Sequence, residues 1–69
     1  MTDPEKLRIV LPHWMEHTGE HAGEFRSWAR KVQPVQEQLT AAAELLERAN
    51  ERLQEALQRL GGALDHPRD

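Results

Sequence analysis

The sequence has 69 residues, a formal net charge of −3, no cysteine, two tryptophans and one phenylalanine. This length fits one domain with a small core of its own, and the lack of cysteine excludes disulfides, thiolate zinc sites and iron–sulfur clusters. Charges of both signs are mixed without a basic patch, which argues against a nucleic-acid partner. No apolar run approaches the roughly 20 residues of a membrane span, and the N-terminus lacks the pattern of a signal peptide. We therefore expect a cytoplasmic protein with no membrane partner.

Residues 1–11 are compatible with two conformations. The run Asp3-Pro4-Glu5 is typical of a helix start, with Asp3 as the N-cap. Pro12 argues against a continuous helix, because it removes a helical hydrogen bond and disfavours a helical conformation for the residue before it. The segment is therefore either a short helix kinked at Pro12 or an extended arm that leads into a helix beginning there.

A first long helix is predicted over residues 12–32. Mostly apolar residues recur with the heptad spacing of three and four, and these positions are Leu11, Trp14, Thr18, His21, Phe25, Trp28 and Val32. We therefore expect Trp14, Phe25 and Trp28 to lie in the core or in an interface. The break falls at residues 33–34, because a proline there ends one helix and can open the next.

A second helix is predicted over residues 35–60, where leucine and alanine alternate with the same heptad spacing. The leucines of this pattern are expected in the core, and they are Leu39, Leu46, Leu53 and Leu60. Gly61 and Gly62 end the helix, and residues 65–69 are expected to form a frayed tail.

The fold predicted from these elements is an all-α antiparallel helical hairpin over residues 12–64. A connection as short as this one makes consecutive helices antiparallel neighbours. The apolar stripe of the second helix is wider than one facing helix can cover, since further apolar residues lie beside its main row, namely Ala43, Leu45, Leu57 and Leu64. We therefore expect a homodimer that forms a four-helix bundle.

The first helix also carries a pattern typical of metal ligands. His13, His17 and His21 recur every four residues, and each such step turns a helix by only about 40°, so the imidazoles follow one face. Two imidazoles at this spacing can share a metal ion, with Glu20 or Glu24 as a third ligand or as an orienting carboxylate. Nitrogen and oxygen donors together favour Zn, Ni, Co or Cu(II) over Ca or Mg.

This ligand set is incomplete within one chain, and two interpretations stay open. A dimer that pairs the first helix with its own copy would bring four imidazoles together around a shared metal. The alternative is a metal-free coiled-coil module with structural histidines, which contacts its own copy or another protein through an apolar helix face. An enzyme is not expected, because no nucleophile–base pair is present and Trp14 stands where the HExxH motif of zinc proteases requires glutamate.

The conspicuous residues of this region are Leu11-Pro12-His13-Trp14, Glu16-His17, Glu20-His21-Ala22, Glu24-Phe25 and Trp28-Ala29. They resemble a family of small helical proteins and domains of the LPHWxEHxxEHAxEFxxWA type, some of which accompany nickel-handling proteins of the CooT kind. The resemblance covers about a third of the chain and implies a cytoplasmic hairpin that handles nickel or another transition metal. It assigns the ligand role to His13, His17 and His21, with Glu16, Glu20 and Glu24. Gly19 and Gly23 depart from the acidic or polar residues expected there.

Overall fold

The computed structural model describes residues 1–64, which form two helices joined by a short turn. Helix α1 spans Asp3–Lys31, a 3₁₀ turn spans Gln33–Val35, and helix α2 spans Gln36–Arg59. The first turns of α1 contact the C-terminal end of α2, so the predicted all-α antiparallel hairpin is confirmed. Within the described part of the chain, neither helix has a stretch long and apolar enough to cross a membrane. The predicted tail, residues 65–69, lies outside the described residues.

Helix α1 begins with a capping box. The Thr2 hydroxyl accepts a hydrogen bond from the Glu5 backbone N–H at 3.3 Å, and the Glu5 carboxylate accepts one from the Thr2 backbone N–H at 2.8 Å. This backbone hydrogen bond lowers the pKa of the Glu5 carboxyl. The N-cap is therefore Thr2, and the prediction of Asp3 is wrong by one residue. Asp3 instead lies in the first turn, where a carboxylate complements the helix dipole.

The helix continues through Pro12. Residues 3–11 are thus helical, while the extended arm and a helix start at residue 12 are wrong. Pro12 has no N–H to donate to the carbonyl of Arg8, four residues earlier. That carbonyl accepts a hydrogen bond from the Leu64 backbone N–H at 3.3 Å instead. The end of the hairpin therefore compensates for the hydrogen bond that the proline removes from the first helix.

The Arg8 side chain reinforces the same contact. Its Nε donates to the Gly62 carbonyl at 2.7 Å, and its Nη2 donates to the Gly61 carbonyl at 3.2 Å. Gly61 and Gly62 have φ values of +108° and +92°, a region that side chains disfavour. The predicted stop at these glycines is confirmed, and the turn that they make aims two carbonyls at one guanidinium.

The contact between the helices is built on small residues. Among residues 1–64, the buried apolar side chains are Leu11, Ala22, Ala29, Ala43 and Leu57. Side chains of this size let helix axes approach at the short end of the usual 8–10 Å range. The core of the single chain is therefore narrow, and it contains no tryptophan.

Trp14 and Trp28 were predicted in the core or in an interface, and they do not lie in the core of the single chain, because they are 52% and 55% exposed. The row of α1 that faces α2 is instead Met15, Ala22 and Ala29. Each of these residues directly follows a residue of the tryptophan row in the sequence. An indole between the helices would separate them and lose the alanine contacts. The remaining predicted core residues are half-buried, and they are Phe25, Leu39, Leu46, Leu53 and Leu60.

Asn50 is a polar residue within this contact. Its Nδ2 donates to the Met15 carbonyl at 2.9 Å, and it lies 3.8 Å from the position that a Cβ would occupy at Gly19. The Asn50 side-chain oxygen is buried without a hydrogen-bond partner. A single polar residue at such a position fixes helix register at some cost in stability.

One face of the hairpin carries an ion pair between the helices. Arg26 donates from Nη2 and Nε to the two Glu47 carboxylate oxygens, at 2.6 and 3.1 Å. This hydrogen-bonded contact lowers the pKa of the Glu47 carboxyl and raises that of the Arg26 guanidinium. Arg26 lies four positions after Ala22, and Glu47 lies four positions after Ala43, so each is turned about 40° from the helix contact. We call this side the polar face.

The opposite side carries the tryptophans. On α1, the tryptophan row lies one position before the row of Met15, Ala22 and Ala29 that contacts α2. On α2, a row of alanines lies one position before the contact residues Ala43, Asn50 and Leu57. One residue back along a helix turns the side chain by about 100°, here away from the polar face. Because the helices are antiparallel and their forward-turned residues meet on the polar face, both of these rows lie on the other side. We call it the tryptophan face, and its residues are Trp14, His21, Trp28, Ala42, Ala49 and Ala56.

Candidate metal-binding pair on α1

His17 and His21 each contact a glutamate three residues further along α1. His17 Nδ1 lies 3.3 Å from Glu20 Oε1, and His21 Nδ1 lies 3.0 Å from Glu24 Oε1. The two imidazoles are 73% and 62% exposed. The helix therefore presents two successive histidine–carboxylate pairs at its surface, one turn apart.

The contact is a hydrogen bond in His21 and a 3.3 Å ion-pair contact in His17. A neutral imidazole that donates Nδ1–H to a carboxylate keeps its lone pair on Nε2. Metal-binding histidines commonly have this second contact, which fixes the tautomer and raises the basicity of the ligating nitrogen. In His17 and His21 the glutamates are thus placed as orienting groups, and the Nε2 atoms are the candidate ligands.

The other predicted ligands are not gathered around this pair. In residues 1–64, no three histidine or carboxylate groups are close enough together to hold one metal ion. His13 is exposed one turn before His17, and His66 lies outside the described residues. The structure therefore shows two separate histidine–glutamate contacts one turn apart, and it does not gather the larger set that the sequence pattern includes.

Sequence reasoning missed the polar contacts that position α1. Arg26 contacts a residue of the other helix, and Arg8 contacts the turn after α2, so no spacing within one helix reveals these contacts. The contact of Asn50 could have been predicted from the sequence, because Asn50 lies seven residues from both Ala43 and Leu57 in the same row of α2. A single polar residue in an apolar row is a signal of a buried contact.

Together these features define a small all-α protein, an antiparallel hairpin with a paired histidine–glutamate face. The chain belongs to the family described as "Domain of unknown function (DUF8180)", whose model matches residues 7–60. It is also similar to an uncharacterized protein of Archaeoglobus fulgidus, with 36% identity over 61 residues that cover 83% of this chain and 98% of the relative. No solved structure matches. The matched segment begins in the second turn of α1 and includes the whole of α2.

Proposed function

We propose that the protein binds a divalent transition metal ion through the Nε2 atoms of His17 and His21. The observation that supports this is the contact of each Nδ1 with a glutamate, which leaves both Nε2 atoms for a ligand role. Two ligands leave coordination positions for water or for a group from a second molecule. An exposed and partly filled site suits delivery better than storage, because an acceptor protein can reach the metal directly.

Calorimetric titration of chelator-treated protein with Ni²⁺, Zn²⁺ and Cu²⁺ tests this function. The resemblance to proteins that accompany nickel-handling proteins makes Ni²⁺ the first metal to try. We expect a Kd of about 1 μM or tighter at neutral pH. Imidazole ligands must be neutral to bind a metal ion, so acidification is expected to weaken binding.

The matched variants remove the same number of imidazoles from different places. His17→Ala/His21→Ala is expected to abolish binding, while His13→Ala/His66→Ala is expected to retain it. Loss of binding in both variants would extend the ligand set to His13 or His66. No heat of binding in the unmodified protein, with any of the three metals, would refute the metal function.

A second candidate function, self-association as an interaction module, is supported by the tryptophan face. Trp14 and Trp28 are more than half exposed on one side of a hairpin whose buried residues are mostly alanine. Exposed apolar surface of this extent is characteristic of a protein–protein contact. We infer that the hairpin pairs with a second copy to form a four-helix bundle.

Sedimentation equilibrium over a range of concentrations tests this assembly. The unmodified protein is expected to be a dimer, and Trp14→Gln/Trp28→Gln is expected to be a monomer. Glu16→Gln/Gln54→Glu, on the polar face, is the charge-neutral control and is expected to remain a dimer. A monomeric unmodified protein at all concentrations would rule out self-association, and it would leave metal binding untouched.

A further inference from the structure

We propose that the second copy lies across the tryptophan face with α1 of each chain against α2 of the other. This inference rests on the self-association proposed above and specifies its geometry. The two-fold axis then runs parallel to the helices, and each interface is isologous. The competing geometry has an axis across the helices and stacks α1 on its own copy and α2 on its own copy.

Side-chain size favours the first geometry. The contacts Met15–Asn50, Arg26–Glu47 and Arg8–Gly62 define the antiparallel register of the hairpin. This register places the α1 residues of the tryptophan face at about the heights of its α2 alanines. The matching pairs are Trp14 with Ala56, His21 with Ala49, and Trp28 with Ala42.

An axis along the helices preserves these heights, so each indole of one copy meets an alanine of the other, while the His21 imidazole contacts Glu24 of its own helix. Close packing at protein-interior density requires that kind of match between large and small groups. Stacking α1 on its own copy would instead set indoles in one half of the bundle and alanines alone in the other. The two halves would then need different separations between the layers.

Charge favours the same geometry. On the edges nearest the second copy, α1 carries Glu24, which lies roughly one helical turn from the height of Arg52 on α2. Arg52 also pairs with Glu55 of its own helix at 2.8 Å. With α1 against α2 of the partner, Glu24 of one copy lies near Arg52 of the other, whereas α1 against its own copy would bring the two Glu24 carboxylates together, and like charges at an interface oppose association.

The available area is sufficient for a stable pair. The hairpin measures 51 × 23 × 13 Å by its Cα atoms, so it is a single layer of helices with two broad sides, one of which carries the tryptophans. That side has a projected area on the order of 1,000 Å², compared with the roughly 800 Å² per partner of a standard stable interface. A second copy covers the face without any further domain.

The geometry predicts the metal stoichiometry. When α1 of each copy lies against α2 of the other, the two His17–His21 pairs are on opposite edges of the bundle. Each pair would then bind its own ion, with one metal per chain. The competing geometry would bring both pairs together and give one metal per two chains.

Cysteine cross-linking tests the geometry directly, because the sequence contains no cysteine and both tryptophans can be kept. Three variants of the full chain are oxidised with diamide and run on non-reducing gels: His21→Cys, Ala49→Cys, and His21→Cys/Ala49→Cys. A disulfide needs Cα atoms within about 7 Å, so the double variant is expected to form covalent dimers and each single variant to remain monomeric. Glu16→Cys/Gln54→Cys, on the polar face, is expected to remain monomeric.

Covalent dimers of His21→Cys alone, or of Ala49→Cys alone, would overturn the geometry in favour of like helices stacked together. Sedimentation of each variant under reducing conditions separates this failure from failure of self-association, because the variants are then expected to be non-covalent dimers. A size swap supplies a second readout. Trp14→Ala and Ala56→Trp are each expected to weaken the dimer at least tenfold, and their combination is expected to restore it. Absence of that rescue would count against the geometry.

Discussion

At the residue scale, the glycines of this chain have opposite effects on stability. A Cβ at Gly23, inside α1, would have no heavy atom within 4 Å, whereas Gly61 has a φ of +108°. We expect Gly23→Ala to raise the free energy of unfolding by about 1 kcal/mol, through higher helix propensity. Gly61→Ala is expected to lower it by about 1 kcal/mol or more, because a side chain is strained at that φ. Chemical denaturation of both variants checks the two signs.

A second residue-scale prediction concerns acid stability. The Arg26 guanidinium holds the pKa of the Glu47 carboxyl below its ordinary value of 4.5. A carboxyl whose pKa is lowered by folding stabilises the folded state above its unfolded pKa and loses that effect as the pH falls through its folded pKa. We expect the difference in stability between the unmodified protein and Glu47→Gln to shrink below about pH 4.5. Thermal melts between neutral pH and acid measure it, with Glu51→Gln of the exposed α2 surface as control. An unchanged difference across that window would contradict the assignment.

At the element scale, heptad spacing predicted both helices but not their rotation. Apolar residues occupy two adjacent rows on each helix, and spacing alone does not tell which row faces the neighbouring helix. The sequence pattern favoured the row of Trp14 and Trp28 because it holds the largest apolar side chains. The structure uses the row of Ala22 and Ala29, since small residues allow the closer helix contact. The two histidine–glutamate pairs were predictable, because they follow from spacing within one helix.

The course of α1 through Pro12 was not predictable from local sequence, because its compensation comes from the far end of the hairpin. Pro12→Ala would restore an N–H that competes with Leu64 for the Arg8 carbonyl. We expect this variant to stabilise α1, while the Leu64 amide exchanges its hydrogen faster. Hydrogen exchange measured by NMR checks both effects. Equal Leu64 protection in the two proteins would show that this hydrogen bond does not hold the end of the hairpin.

At the scale of the whole molecule, the hairpin is one helix layer thick. Most domains bury their apolar surface between two packed layers, and the buried side chains of residues 1–64 are three alanines and two leucines. A layer with so little buried apolar area gains little stability alone. The exposed tryptophans, the half-buried leucines of α2 and the low stability expected of one layer would all be explained by the second copy that we propose as a second layer.

The two tryptophans make this second layer measurable without a label. They are the only tryptophans in the sequence, and both lie on the face that the second copy would cover. Indole emission moves to shorter wavelength when water is excluded from the ring. We expect the emission maximum to shift in that direction as protein concentration rises, with the same midpoint as the dimerisation measured by sedimentation.

Single substitutions show whether the emission of each tryptophan shifts on dimerisation. Trp14→Phe leaves Trp28 as the reporter, and Trp28→Phe leaves Trp14. Both variants are expected to show the shift, because one partner helix would cover both rings. The Lys31 ammonium already lies 4.9 Å from the centre of the Trp28 ring, so Trp28 is expected to shift less than Trp14. An emission maximum independent of concentration in both variants, alongside a dimer in sedimentation, would place the contact between copies on another face.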